Sequence, residues 1–290
     1  MKNNEEKLEI TKNIVIVYHG QCTDGFGGAW SAWKKLGDSA DYFGASYDNG
    51  PPKGLTNKEI YFIDFVYSRP VMEDLKQKNK RIVIIDHHKT AQDKLDIAND
   101  KLFDINHSGA VLSWQYFHPD KSIPIILKCI EDRDIWRWKV EDSKEILAYF
   151  DLFDFDFKIW NEIIEQFDHD ESLKLEFKKN GQLLLRQWTS LCEDMIKEES
   201  TIVEFEGYKT YVINAPHIFA SDLGNILSKK LPPLAIVWQQ NKEGNIGVSL
   251  RSDGSVDVSE IAKKYGGGGH KAAAGLRIES LLELPWKKIK

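Results

Sequence analysis

The chain lacks most of the features that would place it outside the ordinary globular class. Its 290 residues include three cysteines, Cys22, Cys129 and Cys192, an odd and widely spaced set. Such a set builds no disulfide framework and fits a reducing compartment. No apolar run reaches the ~18 residues that a membrane-crossing helix needs, so an integral helical membrane protein is excluded. The opening Met-Lys-Asn-Asn-Glu-Glu-Lys is charged and has no apolar stretch of the secretory kind, so a cytoplasmic location is expected. Basic charge is not in surplus: 39 Lys and Arg stand against 45 Asp and Glu, a net charge of −6. Proteins that hold long nucleic acid through its phosphates gain affinity from counterion release and usually present a basic surface. That mode is disfavoured here, whereas a short phosphorylated ligand gripped in a local pocket is not. Internal repeats and low-complexity tracts are also missing.

What is present is an alternation of two hydrophobic periods. Asn13–Tyr18, Glu59–Asp64 and Arg81–Asp86 are short β-branched runs of the kind buried on both faces of a parallel sheet. Between and after them, Phe26–Leu36, Arg69–Asn79 and Ala110–Phe117 read as helices, with a further short strand near Leu102–Ile105. Strands spaced by helices imply βαβ units and a mainly parallel sheet flanked by helices. From Ile123 to about Lys197 the pattern is helical, with segments Ser143–Phe153, Phe157–Phe167 and Leu173–Lys197. Beyond Thr201 come two hairpins, one turning at Glu206-Gly207 and one at Glu243-Gly244-Asn245, interleaved with helices near Asp222–Lys230 and Val258–Tyr265. The expected organisation is α/β throughout: a domain over residues 1–198 that ends in a helical connector, and a smaller α/β domain over 199–290.

The polar residues fall where the apolar strands end. The first strand leads into His19, Cys22 and Asp24, the second closes on Asp64, and the third closes on Asp86-His87-His88. In an open parallel sheet the carboxyl ends of the strands share one edge, and ligands bind in the crevice there. Carboxylates and imidazoles brought together repel or titrate unless a cation neutralises them, so a divalent metal is the natural occupant. With one carboxylate free to bridge, two ions about 3.5–4 Å apart would suit phosphoryl hydrolysis.

Asp86-His87-His88 after a buried strand resembles the signature of the DHH phosphoesterase superfamily. His19 through Asp24 and Gly25 resembles its first motif, Asp64 its second, and an acid of Glu131-Asp132-Arg133-Asp134 its fourth. Gly266-Gly267-Gly268-Gly269-His270, followed by Ala272-Ala273-Ala274-Gly275, resembles the glycine-rich motif of the accompanying DHHA1 domain. The resemblance implies that His19 binds one ion, Asp24 and His87 the other, and that Asp64 bridges them. It implies that His88 faces the substrate phosphate and that Asp132 completes the metal shell, with Asp134 as the competing choice. Asp86 is placed behind the ligands, orienting an imidazole. The chain departs from the family at Cys22, where an aspartate normally stands, and the spacing from His19 differs by one. Cys22 is either a soft ligand that shifts preference toward Zn or Fe, or a small hydrophobe beside the site.

In the second domain, four consecutive glycines leave backbone N–H groups free to point at an anion, and His270 adds a donor. Arg251 offers a planar fork to phosphate. By resemblance this domain grips the nucleotide through Arg251, Gly267, Gly268, Gly269 and His270, while the metal domain cuts, with His88, Asp86, Arg251 and His270 as the groups acting on the substrate. The implied cofactors are two divalent ions, manganese first, with Mg, Zn or Fe as alternatives. The implied activity is that of a metal-dependent phosphodiesterase or phosphatase acting on short oligonucleotides or small nucleotides, of the 3′–5′ exonuclease or oligoribonuclease kind. A homodimer and no membrane complete the expected partners. The competing readings are a single-strand exonuclease of the same superfamily, an inorganic pyrophosphatase, and a non-catalytic nucleotide sensor that has lost a metal site at Cys22.

Other features have plainer readings. Phe26-Gly27-Gly28-Ala29 is expected to pack a helix start on the sheet rather than to cradle phosphate. Trp30, Trp33, Trp136 and Trp138 read as core or rim packing, His107, His118, His169 and His217 as ordinary histidines, and Leu173–Lys197 as a solvated helix.

Overall fold

The computed structural model describes residues 10–20, 22–46, 49–242 and 244–289. The charged N-terminal residues 1–9 and Glu243 of the expected second hairpin turn lie outside these. The chain divides into two compact units, Met1–Leu185 and Arg186–Lys290.

The first unit runs β1 (Ile14–His19), α1 (Thr23–Leu36), β2 (Ala40–Ala45), β3 (Glu59–Ile63), α2 (Arg69–Lys78), β4 (Arg81–Asp86), β5 (Asp100–Phe103), α3 (Gly109–Phe117), α4 (Ile125–Asp134), α5 (Ser143–Phe150) and α6 (Phe157–Phe167). The helix α7 (Glu171–Glu199) contains the boundary. The five strands are all parallel, in the order β2-β1-β3-β4-β5. Period-2 alternation divides each strand between two cores. Val15, Val17, Phe62, Ile82 and Ile84 face Met72 and Leu75 of α2, while Ile16, Ile63, Val83 and Ile85 face Ala29, Leu112 and Phe117 of α1 and α3. Burying each such side chain is worth about 1.5–3 kcal/mol. Exposed pairs such as Lys78–Asp74 contribute about 0–1 kcal/mol, so the strand interiors hold the sheet.

A second layer of helices packs on α1 and α3 through Trp30, Trp114, Leu127, Ile130, Phe150 and Trp160. The glycines of α1 make that packing close. A Cβ on Gly28 would stand 2.4 Å from Ile63 Cγ2, and one on Gly27 would stand 2.9 Å from Ala110 Cβ. Phe26-Gly27-Gly28-Ala29 is therefore a packing surface. Strand β2, Ala-Asp-Tyr-Phe-Gly-Ala, carries no β-branched run and escapes the sequence pattern; it forms as an edge strand by pairing with β1.

The second unit comprises β6 (Thr201–Phe205), β7 (Tyr208–Asn214), α8 (Ala220–Lys230), β8 (Leu234–Gln240), β9 (Ile246–Ser252), α9 (Val258–Lys264), β10 (Gly268–His270), β11 (Ala273–Ile278) and β12 (Lys287–Lys288). Its sheet has the order β10-β11-β9-β8-β7-β6-β12, with β7 and β8 parallel and the other pairs antiparallel. Glu206 and Gly207 both take positive φ, 52° and 80°, as a tight hairpin requires.

The expected division at 198/199 lies at the end of α7, whereas the contacts divide the chain inside that helix. The reason is that α7 is not simply solvated. Phe177 packs in the first unit's helical core, and Cys192 and Ile196 pack against Leu223 and Leu227 in the second. Among the described residues, no disulfide is formed and no helix is long and apolar enough to cross a membrane.

Candidate metal centre

The order β2-β1-β3 makes the boundary between β1 and β3 the point where the chain turns in opposite directions, and its carboxyl-end crevice collects the polar side chains. His19 is the last residue of β1, and Asp24 lies in the first turn of α1. Asp64 follows β3 directly, its N–H bonded to Ile85 O at 2.9 Å, which sets it level with Asp86 at the end of β4. Asp64 adopts a left-handed backbone with φ of 56°, a conformation in which short polar side chains are over-represented.

Three overlapping groups result: His19, Cys22 and Asp64; Asp64, His87 and His88; Asp24, His87 and Asp134. Within each group the donor atoms lie within 4.8 Å of one another, and Asp64 and His87 each belong to two groups. His87 Nε2 lies 3.2 Å from Asp64 Oδ1, 3.4 Å from Asp134 Oδ2 and 3.7 Å from Asp24 Oδ2. His19 Nδ1 lies 3.7 Å from Asp64 Oδ2. Asp24 and Asp64 are each about 1% exposed. The Gly109 and Ala110 N–H groups at the start of α3 donate to Asp24 at 2.7 and 2.9 Å, so the positive end of a helix holds this acid. A Cβ on Gly109 would lie 2.6 Å from Asp64 Cβ and 3.0 Å from Asp24 Oδ2, so glycine is what lets α3 approach both acids.

The electrostatics are those of a crowded acid cluster short of positive charge. Burial, then the charges of Asp64 and Asp134, push the Asp24 carboxyl well above the usual carboxylate range. Burial and Asp64 likewise raise Asp134 against the pull of His87. Burial also opposes ionisation of Asp64, yet hydrogen bonds from His19 and His87 bring it down to about 2. Burial lowers His87, but its bond to Asp64 and the charges of Asp24 and Asp134 outweigh that and raise it to about 9. In the metal-free chain the stability that His87 contributes is therefore complete below its unfolded value near 6.5 and lost as pH rises through about 9. The contribution of Asp64 is present above its unfolded value of 3.8 and lost as pH falls through about 2. The thiol of Cys22 is raised by burial and by the neighbouring Asp64 and Asp24.

This donor set fits divalent cations: hard carboxylates and imidazoles converge, and two of the three acids resist ionisation until a positive charge arrives. Because imidazole binds metal only when its ring nitrogen is free, metal uptake near pH 7 is expected to release about one proton or more from this site. Manganese affinity should then tighten by about tenfold or more per pH unit as pH rises toward 9. Calorimetric titration in two buffers of different ionisation heat checks this; uptake without proton release would contradict the cluster as described.

Asp132 lies elsewhere. Its carboxylate is 3% exposed and accepts the Lys139 N–H at 2.7 Å, the Val140 N–H at 3.0 Å and the Ser143 hydroxyl at 2.7 Å. It closes the loop after α4, and the acid that reaches the cluster is Asp134, the competing choice. The reason is geometric: residues two apart on a helix point about 200° apart, so one of the pair must turn away. Asp86 accepts both the N–H of His88, at 2.7 Å, and its Nδ1, at 2.9 Å, which fixes that ring. His107 has a partner that the sequence did not reveal, Glu131 at 2.9 Å, whose Oε2 also accepts the Ser108 N–H at 3.0 Å. His118 donates to Ser31 O inside the helical core, as an ordinary histidine does. Nothing about a single glycine at a helix start marks the Gly109 approach in the sequence.

In the second unit, the Arg251 side chain packs over Gly224 and donates to Leu250 O at 2.9 Å and Ser221 Oγ at 3.0 Å, which leaves part of its fork available. The four glycines are not all open donors, as the sequence suggested. The N–H groups of Gly266 and Gly267 bond Lys263 O and Ala262 O at 3.1 and 2.9 Å and close α9. A Cβ on Gly267 would strike Gly275 O at 2.2 Å, so the run serves close packing on β11 as well. Gly268 faces open space, and Gly269 and His270 are exposed on the edge strand β10. A cavity of about 640 Å³ in this unit is bordered by His217, Trp238, Tyr265, Gly267 and Arg277.

Comparison with known proteins agrees with both halves. The DHHA1 domain model matches residues 214–288. Uncharacterized protein R106 of Acanthamoeba polyphaga mimivirus is 32% identical over 300 residues, covering 95% of this chain and 70% of that protein. The oligoribonuclease NrnB of Bacillus subtilis is 28% identical over 228 residues, 68% of this chain and 53% of that one. Among solved structures, the pGpG-specific phosphodiesterase PggH of Vibrio cholerae aligns with a TM-score of 0.52 at 15% identity, covering 92% and 93% of the two chains. RecJ of Thermus thermophilus in complex with Mn²⁺ aligns with a TM-score of 0.52 at 12% identity, over 91% of this chain and 49% of that one. Fold and cluster together define a two-unit α/β protein with a donor set for divalent cations at its sheet edge. The chain belongs to the DHH superfamily and carries its DHHA1 domain.

Proposed function

We propose that this protein hydrolyses phosphodiester bonds in short oligonucleotides or small dinucleotides with the help of two divalent ions, manganese foremost. The carrying observation is that Asp64 and His87 are each shared between clusters at the β1/β3 crevice. His19, Cys22 and Asp64 would hold one ion and Asp24, His87 and Asp134 the other, with Asp64 common to both. Such ions supply Lewis acidity that polarises a phosphoryl group and acidifies water. The chain's own groups do the rest. Asp86 holds the His88 ring by Nδ1 and leaves Nε2 as its remaining polar atom, suited to a phosphate oxygen. Arg251, Gly268, Gly269 and His270 offer donors to the phosphate or sugar of the substrate in the second unit. The relatives' names lend weight to the substrate class: one is an oligoribonuclease and another a pGpG-specific phosphodiesterase. The metal assignment draws on the manganese in the RecJ structure.

The test is a matrix of metals against substrates, with products read by mass. Mn, Mg, Zn and Fe are each paired with a linear dinucleotide, a five-nucleotide RNA, a long single strand and a 3′-phosphoadenosine nucleotide. Manganese-dependent release of mononucleotides, faster from the two short substrates than from the long strand, is expected. Tight binding without turnover under every metal would instead mark a nucleotide sensor.

A further inference from the structure

The segment that follows Asp134 has no part in the metal cluster, yet its backbone is strained at two bulky residues. Trp136 and Trp138 both adopt left-handed conformations, with φ of 57° and 53°, a region that bulky side chains rarely enter. Such strain persists only where surrounding structure imposes it, and it concentrates at functional sites. Here the imposing group is Asp132. Its carbonyl accepts the Arg137 and Trp138 N–H groups at 2.8 and 3.3 Å, and its buried carboxylate accepts those of Lys139 and Val140. Arg137 ties the same loop to Asn106 O, just before Gly109 and Ala110, whose N–H groups hold Asp24.

The two indole rings meet edge to face at 5.2 Å and 75°, and the Lys144 ammonium sits 4.8 Å from the Trp138 centroid. Trp138 thus touches both the Trp136 ring and the Lys144 ammonium. Trp136 is 51% exposed. Neither ring belongs to the hydrophobic cores formed by the described residues. A single exposed apolar side chain needs no explanation. A half-exposed tryptophan held in strained backbone by a buried acid, two residues along the chain from a metal-cluster aspartate, does.

We infer that Trp136 is a stacking platform for the nucleobase attached to the phosphate held at the metal centre. An indole face takes any base by π-stacking, and Arg137 and Lys139, which follow Trp136 in the same loop, add positive charge for an anionic ligand. The inference deepens the phosphodiesterase reading and rests on it. It makes Trp136 the group that distinguishes nucleotides from plain phosphodiesters.

The experiment compares the full-length protein with Trp136→Ala and Trp136→Phe in manganese. The substrates are a 5′-phosphorylated dinucleotide and the same molecule with abasic tetrahydrofuran sugars. Trp136→Ala should raise KM for the dinucleotide about 5- to 150-fold with kcat little changed, and Trp136→Phe should restore most of it. The abasic substrate should be cleaved equally by all three. An unchanged KM for the dinucleotide, or an equal loss on the abasic substrate, overturns the inference. If the wild type cleaves neither substrate, the phosphodiesterase reading has failed separately. The platform is then judged by fluorescence titration with AMP and with ribose 5-phosphate. Quenching by AMP alone that disappears in Trp136→Phe sustains it, and identical quenching in both proteins refutes it.

Discussion

Asp64→Asn is expected to lower metal-dependent phosphodiester hydrolysis by about 10³-fold or more while the fold persists, a loss of the size seen when a central charged group is removed from an active site. The substitution is unusually clean at this position. Asparagine tolerates the left-handed backbone that Asp64 adopts and is nearly isosteric, so the change isolates the charge. Asp64 belongs to two of the three donor groups and sits 3.2 Å from His87 and 3.7 Å from His19, so losing its charge weakens both halves of the cluster. Circular dichroism and melting of the metal-free variant would establish that the protein is folded. Metal-dependent turnover at the wild-type rate would remove Asp64 from the mechanism.

The second large effect separates two aspartates that stand two residues apart. Asp132→Ala strips the acceptors from two backbone N–H groups and a hydroxyl at a site 3% exposed. Leaving such donors unsatisfied should cost about 3–5 kcal/mol, visible as a fall in melting temperature with or without metal. Asp134→Asn should behave oppositely. Asp134 is held above its usual range by burial and by Asp64, so removing its charge relieves repulsion, and the metal-free protein should melt no lower than wild type. Its manganese affinity and turnover should fall sharply. Metal-free melting and manganese titration of both variants decide the matter. A stable Asp132→Ala protein that fails to bind manganese would return the ligand role to Asp132.

Much of this site was legible because parallel strands are read from runs of buried β-branched residues, and the first polar residue after each run must surface at one edge. His19, Asp64 and the Asp86-His87-His88 triplet followed from that rule, and the strand order puts their strand ends at one edge; the choice of His87 within the triplet came from the family resemblance. Other residues did not yield to it. Asp132 and Asp134 satisfy the same local pattern, and only the way α4 packs decides which one meets His87. The glycine run reads as four open donors until two of its N–H groups are seen closing α9. The pairing of His107 with Glu131 and the approach of Gly109 to Asp64 join segments that nothing in the one-dimensional pattern connects.

The α/β class, the parallel sheet and the strand ends at which chemistry collects can be read from residue order, because hydrophobic period and chain polarity are local properties. Which acid joins the cluster, which donors remain open, and that two tryptophans just after Asp134 take left-handed backbone emerge only from the tertiary packing. Those outcomes depend on the rotation of a helix and on the partners that distant backbone groups find, and neither is encoded in the order of neighbouring residues.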